Sequence, residues 1–242
     1  WTQGLAARLP LVPVVGGVNM GIAWNKNRAL YLLSELLGCE AVILLEDDTQ
    51  PAKSGWETEW IRGAQLWGHV NFAAPWIEDT FISGAGTAAD PILCAVITAQ
   101  CAAFSRESLL FGGFYASRFK GYGHEHVEHS RRLVRVGFGG TDRIVDGKEQ
   151  MRYKLIRGDL TVVDVPSYID HDQVARNLEV ARPLMVDQTY RAPWRDDGEL
   201  KQFRAEMRSA LDGRPKGFAL RDEKPAASGG VAAGLRRLFR RG

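Results

Sequence analysis

Residues 41–45, AVILL, form an uninterrupted apolar run that stops at three consecutive acids, Glu46-Asp47-Asp48. Five residues are too few for a helix, and Val42 and Ile43 are β-branched, so the run reads as a strand covered on both faces. Upstream, Leu30, Leu33, Leu36 and Leu37 fall at helical spacing and predict a helix from about Asn27 to Leu37, with Gly38 as its C-cap. Residues 11–15, LVPVV, read as a short strand weakened by Pro13, and GGVNMGIAWNKN as a Gly/Asn-rich loop. Strand, helix, strand is a βαβ unit, so the predicted class is α/β, and a strand buried on both faces implies a mostly parallel sheet flanked by helices.

The rest of the chain continues this pattern. Helices are predicted over about 54–67 and 124–136, and a short one over 106–111, capped by Ser105 and ended by Gly112-Gly113. Residues 69–105 read as strand and loop, with an apolar run at 91–98; a strand is predicted at 159–165 and a polar helix at 198–211. Residues 213–230 are poor in large apolar side chains and read as a linker, and LRRLFRR within 231–241 as a short cationic amphipathic helix. The expected division is a core over 1–195, a helix over 196–212, a linker over 213–230 and a basic tail over 231–242.

Composition narrows the function classes. Hydrophobic residues are 45% and charged residues 25%, which excludes a disordered, collagenous or coiled-coil chain. Three cysteines make no disulfide scaffold and fit a reducing compartment. The longest uncharged stretch, Leu9 to Asn25, is interrupted by two prolines and three glycines and makes a poor membrane span. No secretory signal is visible, and a first residue of Trp1 points to a fragment or a processed product. The net charge of +2 divides into +7 for residues 201–242 and −5 for the first 200. An acidic body argues against general nucleic-acid binding.

Three acids at a strand's carboxyl end stand where α/β sheets bind ligands. Alternate residues of an extended segment share a face, which brings Glu46 and Asp48 together. Clustered carboxylates repel, and a cation offsets the repulsion; oxygen ligands suit Mg²⁺ or Mn²⁺, which commonly bridge to substrate phosphates. The competing reading is a solvated acidic turn before Pro51. Trp56, Trp60 and Trp67 fall at helical spacing, and with Trp76 they suit either core packing or stacking on a sugar face.

LLEDDTQP resembles the metal-binding DXD signature of GT-A-fold glycosyltransferases. NMGIAWNKNRAL resembles the Asn-x-Gly…Arg-Asn segment that precedes that signature in glycosyltransferase family 2, with Lys26-Asn27 in the Arg-Asn position. Gly112-Gly113-Phe114 followed by Phe119 to His126 is similar to the family's acceptor loop, with Glu125-His126 where a Glu-Asp pair is usual. The resemblance implies a GT-A-like, mostly parallel fold that lacks its N-terminal strands, about 50 residues by the size of a βαβ unit and its connection. It implies nucleotide-sugar contacts from Asn19, Lys26, Asn27 and Asp47, a metal shell of Glu46, Asp48 and His171, and a catalytic base at Glu125 or His126. Imidazole titrates near neutral pH, and a carboxylate at a helix start is held ionised. An independent zinc site is disfavoured, because no two of His124, His126 and His129 have the i,i+4 spacing of HExxH.

The expected activity is a metal-dependent glycosyltransferase using Mn²⁺ or Mg²⁺. It would move a sugar from a nucleotide-diphosphate donor to a saccharide, lipid-linked or protein acceptor hydroxyl, with inversion the commoner outcome in the family. Alternatives are a nucleotidyltransferase that forms nucleotide sugars, and a non-catalytic carbohydrate-binding or membrane-associated scaffold. The expected location is cytoplasmic and peripheral at the inner membrane face, with weak surface contact through the basic tail.

Overall fold

A computed structural model describes residues 12–14, 16, 18–163 and 170–213. Helix α1 (Ile22–Tyr31) runs into a π-helical turn (Leu32–Leu36), and strands β1 (Ala41–Leu45) and β2 (Thr49–Pro51) follow. Next come helix α2 (Glu57–Trp67), β3 (His69–Phe72), a 3₁₀ segment (Pro75–Thr80), β4 (Phe81–Ser83), β5 (Ile92–Cys94) and β6 (Cys101–Ser105). Helices α3 (Arg106–Gly112) and α4 (Glu125–Arg135) precede a hairpin of β7 (Gly140–Val145) and β8 (Lys148–Ile156). Strand β9 (Leu160–Val162) and helices α5 (His171–Leu184) and α6 (Asp197–Asp212) complete the described elements.

The seven-stranded sheet has the order β1-β6-β3-β8-β5-β4, with β7 added to β8. Within it only β3 and β8 run parallel; every other pairing is antiparallel. The expected mostly parallel sheet is therefore corrected: the class is α/β, but the sheet is mixed and mostly antiparallel. The apolar run of β1 is covered on both faces, as its sequence predicts. Val42 and Leu44 enter one core cluster with Leu30, Phe104, Leu109 and Leu133, while Ala41 and Ile43 enter another with Trp60, Val70 and Ile156. Two-sided burial reports helices on both faces, not the direction of the neighbouring strand. Among the described residues β1 pairs with β6 alone, antiparallel, from Ala41↔Ser105 to Leu45↔Cys101.

The same alternation recurs across the sheet. Cys101 and Ala103 of β6 face α2, and Ala102 and Phe104 face the opposite cluster. In β3, Val70 and Phe72 join the α2 side. His69 and Asn71 turn the other way and hydrogen-bond Ser130 of α4. Trp60 is wholly buried and its Nε1 donates to the Gly158 carbonyl at 3.0 Å. Trp56 and Trp67 are partly buried against the same cluster, so these tryptophans belong to the core, and Trp76 is exposed.

Several boundaries moved. Helix α1 begins at Ile22 rather than near Asn27, because Gly21 at φ 90° turns the chain and the Ile22 amide is taken up by the Gly121 carbonyl at 3.1 Å. Val12 to Val14 form no strand; Val12 and Val14 pack near Trp24 and Phe203. The apolar run at 91–98 yields a strand only over Ile92–Cys94. Helix α6 docks on α1 through Trp24 against Phe203, ring centroids 5.4 Å apart, and through Glu206, which accepts from Trp24 at 3.0 Å and Arg28 at 2.7 Å. The expected linker beyond Gly213 and the basic tail lie outside the described residues. Among the described residues, no helix is long and apolar enough to cross a membrane.

Candidate active site

The β1 strand ends, and β6 begins, at one side of a cavity of about 380 Å³. Its lining unites two segments far apart in sequence: Glu46, Asp47 and Asp48 at the strand end, and Gly123, Glu125 and His126 at the start of α4. Lys26 of α1 stands between them, and Ile22, Ala99, Gln100 and Tyr122 complete the wall. Two glycines allow the loops to close: a side chain on Gly21 would stand 3.0 Å from the Gly121 nitrogen, and Gly21 itself lies at φ 90°.

Lys26 is the pivot. Its Nζ lies 2.7 Å from Glu46 Oε1 and 3.4 Å from Glu125 Oε1, and 5.3 Å above the Tyr115 ring. Burial works against its charge, but the charges of the Tyr115 phenol group, Glu125 and Glu46 outweigh that cost and hold the ammonium above the usual lysine range. Glu125 is its counterpart. Burial pushes the carboxyl up, but His126, Lys26 and backbone donors pull it down to about 2, so Glu125 is ionised. The Gly123 amide donates to Glu125 Oε2 at 2.8 Å. His126 Nδ1 sits 3.6 Å from Glu125 Oε1, an ion-pair distance that is too long for a hydrogen bond, and among the described residues it has no hydrogen-bond partner.

The sequence-derived residues divide into those that meet at the cavity and those that do not. Lys26, Glu46, Asp47, Asp48, Glu125 and His126 line it. Asn27 does not: its Nδ2 donates to the Tyr115 and Pro193 carbonyls at 2.9 and 3.3 Å, and its Oδ1 accepts from the Tyr115 amide at 2.9 Å. All of its capacity goes into clamping the loop after α3, so it is a scaffold residue. Asn19 is exposed, and its Oδ1 accepts from the Gly21 amide at 2.9 Å, shaping the turn into α1. His171 is the exposed first residue of α5 and lies outside the cavity wall. Gln100 and Tyr122 also line the cavity without any sequence signal of their own that points to it. Gln100 precedes an ordinary apolar strand, and only the β1–β6 register sets it beside Glu46; Tyr122 sits inside the glycine loop that the motif already marked.

One turn further along α4, the polar side chains serve the core. Arg132 Nε and Nη2 reach Glu128 at 2.9 and 3.1 Å, Nη2 reaches the Phe114 carbonyl at 2.7 Å, and Nη1 bonds the Gly112 carbonyl. His129 Nε2 donates to the Gly113 carbonyl at 2.8 Å. His69 Nδ1 donates to the Ala103 carbonyl at 3.0 Å, and its Nε2 lies 2.9 Å from the Ser130 hydroxyl. Burial holds the His69 imidazole down to about 4, and burial with the nearby Arg132 charge holds His129 well below the usual range, so both are neutral. Glu128 and His129 are thus committed to structure.

Among the described residues, no group of three or more His, Cys, Asp or Glu side chains is arranged to hold a metal ion. Glu46 already has a cation in Lys26, and His171 stands apart. Asp47, exposed, and Asp48, whose Oδ1 accepts from the Thr49 hydroxyl at 2.9 Å, carry no ion pair among the described residues. Mg²⁺ is typically held by one or two carboxylates together with substrate phosphates, so these two acids fit a metal that arrives with its substrate. The chain matches no protein-family model, no curated protein and no solved structure.

Proposed function

We propose that the protein is a glycosyltransferase of GT-A type that moves a sugar from a nucleotide-diphosphate donor to an acceptor hydroxyl. One observation carries the reading: the strand-end acids and the Glu125-His126 pair, about 80 residues apart in the chain, converge on a single cavity of ligand size. Asp47 and Asp48 would hold Mg²⁺ or Mn²⁺ with the diphosphate. When bound, such an ion offsets the charge of the diphosphate leaving group.

The chain's own residues supply the proton transfer. Glu125 is engaged by Lys26 and by the Gly123 amide, whereas the His126 imidazole lines the cavity and makes no Nδ1 hydrogen bond among the described residues, and a neutral imidazole carries a lone pair that can take a proton. His126 therefore takes the acceptor's hydroxyl proton, and ionised Glu125 beside its Nδ1 steadies the charge that forms. The acceptor oxygen bonds to the anomeric carbon as the bond from that carbon to the diphosphate oxygen breaks, and the electron pair leaves with the diphosphate. Lys26 bridges Glu125 and Glu46 and offsets the repulsion between them.

Calorimetry on the full chain tests the donor half. Mn²⁺ should strengthen uridine diphosphate binding in the wild type, and the gain should vanish in Asp48→Ala with the fold intact. Equal binding by both proteins would overturn the donor site.

A further inference from the structure

The loop that leads into α4 cannot hold itself. Gly121, Gly123 and His124 stand at φ 57°, 109° and 68°, where L side chains are strained, and glycine-rich backbone has the most freedom to lose on ordering. The contacts that fix it come from two helices. At the start of α1 the Ile22 amide donates to the Gly121 carbonyl at 3.1 Å. From α5, Gln173 and Val174 press on the glycines: a side chain on Gly121 would stand 3.1 Å from Gln173 Cγ, and one on Gly123 3.2 Å from Val174 Cγ2. Asn177, one turn on, makes the hydrogen bonds. Its Nδ2 donates to the Lys120 carbonyl at 2.7 Å and to the Tyr122 carbonyl at 2.9 Å. Its Oδ1 accepts from the Lys120 amide at 3.3 Å and from Gln173 Nε2 at 3.1 Å. Two donors and two lone pairs are all that a carboxamide has, and Asn177 is buried.

What this clamp sets in place is Glu125. The Gly123 amide, next after the clamped Tyr122, donates to Glu125 Oε2, and Glu125 Oε1 faces Lys26 and His126 Nδ1. The stretch of chain just before α5 braces the other half of the cavity. Val162 of β9 pairs with Thr49, and the Val163 amide donates to the Asp48 carbonyl at 2.7 Å. We propose that Asn177 is a positioning residue for the candidate active site: by tying Lys120 and Tyr122 it holds the Gly123 amide on Glu125 and so keeps the Glu125-His126 pair in the cavity wall. That the pair handles a proton rests on the transferase reading; that Asn177 sets its geometry does not.

The test uses the full chain and Asn177→Leu, which is close to asparagine in shape and adds no charge. The readout is the Glu125 carboxyl, followed by NMR through a pH titration. Burial pushes that carboxyl up, and His126, Lys26 and backbone donors hold it at about 2 in the wild type. A carboxylate that loses a donor and slips from its partners titrates higher, so in Asn177→Leu the midpoint should rise toward the ordinary 4.5. Val70→Ala, in the core on the other face of the sheet, is the control for a purely structural loss: it should lower the unfolding temperature and leave Glu125 where it is. A folded Asn177→Leu with Glu125 unmoved, or a Val70→Ala that moves it as far, would overturn the proposal. Should Asn177→Leu fail to fold, amide exchange in the wild type decides. The Lys120 and Gly123 amides should exchange at least about 10-fold more slowly than in unstructured peptide, and free exchange of either would overturn the clamp. The diphosphate experiment with Asp48→Ala does not involve Asn177. If metal-enhanced diphosphate binding is absent while Glu125 moves, the transferase reading falls and the positioning role stands; if that binding is present and Glu125 stays put, only the positioning role falls.

Discussion

Helix α4 carries two buried charge clusters a turn apart, and they are built differently. Around Glu128 and Arg132 both side chains are wholly buried, and the guanidinium is divided among one carboxylate and two backbone carbonyls. Around Glu125 and Lys26 one ammonium serves two carboxylates, Glu46 keeps 29% of its side-chain surface exposed, and His126 Nδ1 and Gln100 Oε1 have no hydrogen-bond partner among the described residues. The first cluster is closed and has nothing left to offer. The second borders a cavity and leaves part of its hydrogen-bonding capacity unmet. Buried charge alone therefore does not mark a site; charge with unmet capacity and room for a ligand does.

The contrast can be broken by substitution. The largest effect is expected from Arg132→Met, which leaves Glu128 buried without a counter-charge and releases the Gly112 and Phe114 carbonyls. Losing one member of a buried pair costs about 3–5 kcal/mol, to be read by urea unfolding. Lys26→Met should cost less, on the order of 1–3 kcal/mol, because water reaches Glu46 and shares the loss. If the two variants cost the same, the clusters do not differ in kind.

The Lys26 variant also has a pH signature. The Glu125 carboxyl is depressed from 4.5 to about 2, so its stabilisation is complete above the unfolded value and is lost as pH falls through the folded one. Without Lys26 the folded value rises toward the unfolded one. The stability gap between wild type and Lys26→Met should thus be widest near pH 7 and narrow below about pH 4, with carboxyl titration by NMR locating the shift. A gap independent of pH would remove Glu125 from the cluster's energetics.

The smallest effect sharpens the view of the loop. His124 precedes α4 at φ 68° and makes no side-chain capping bond. Glycine adopts that conformation without strain, so His124→Gly should stabilise the fold by up to about 1 kcal/mol. A loss would mean the imidazole holds the loop in place.

What the sequence determined by itself was local. AVILL names a strand covered on both faces, Ser105 caps α3 by accepting from the Ser108 amide, and the tryptophan spacing marks a core-facing helix. These follow from side-chain periodicity and nearest-neighbour hydrogen bonds, which a chain carries in its order of residues. The acids and Glu125-His126 were legible as candidates because their residue types and neighbours restrict their chemistry. Strand direction was not legible, since an apolar run looks the same whichever way its neighbour points. Nor was the division of labour among polar residues. Lys26, Asn27 and Arg28 are consecutive, yet they face the cavity, a backbone clamp and Glu206 of α6. Only the tertiary structure decided which of three buried polar side chains kept capacity for a ligand, because a helix sends adjacent residues about 100° apart and their partners come from distant segments.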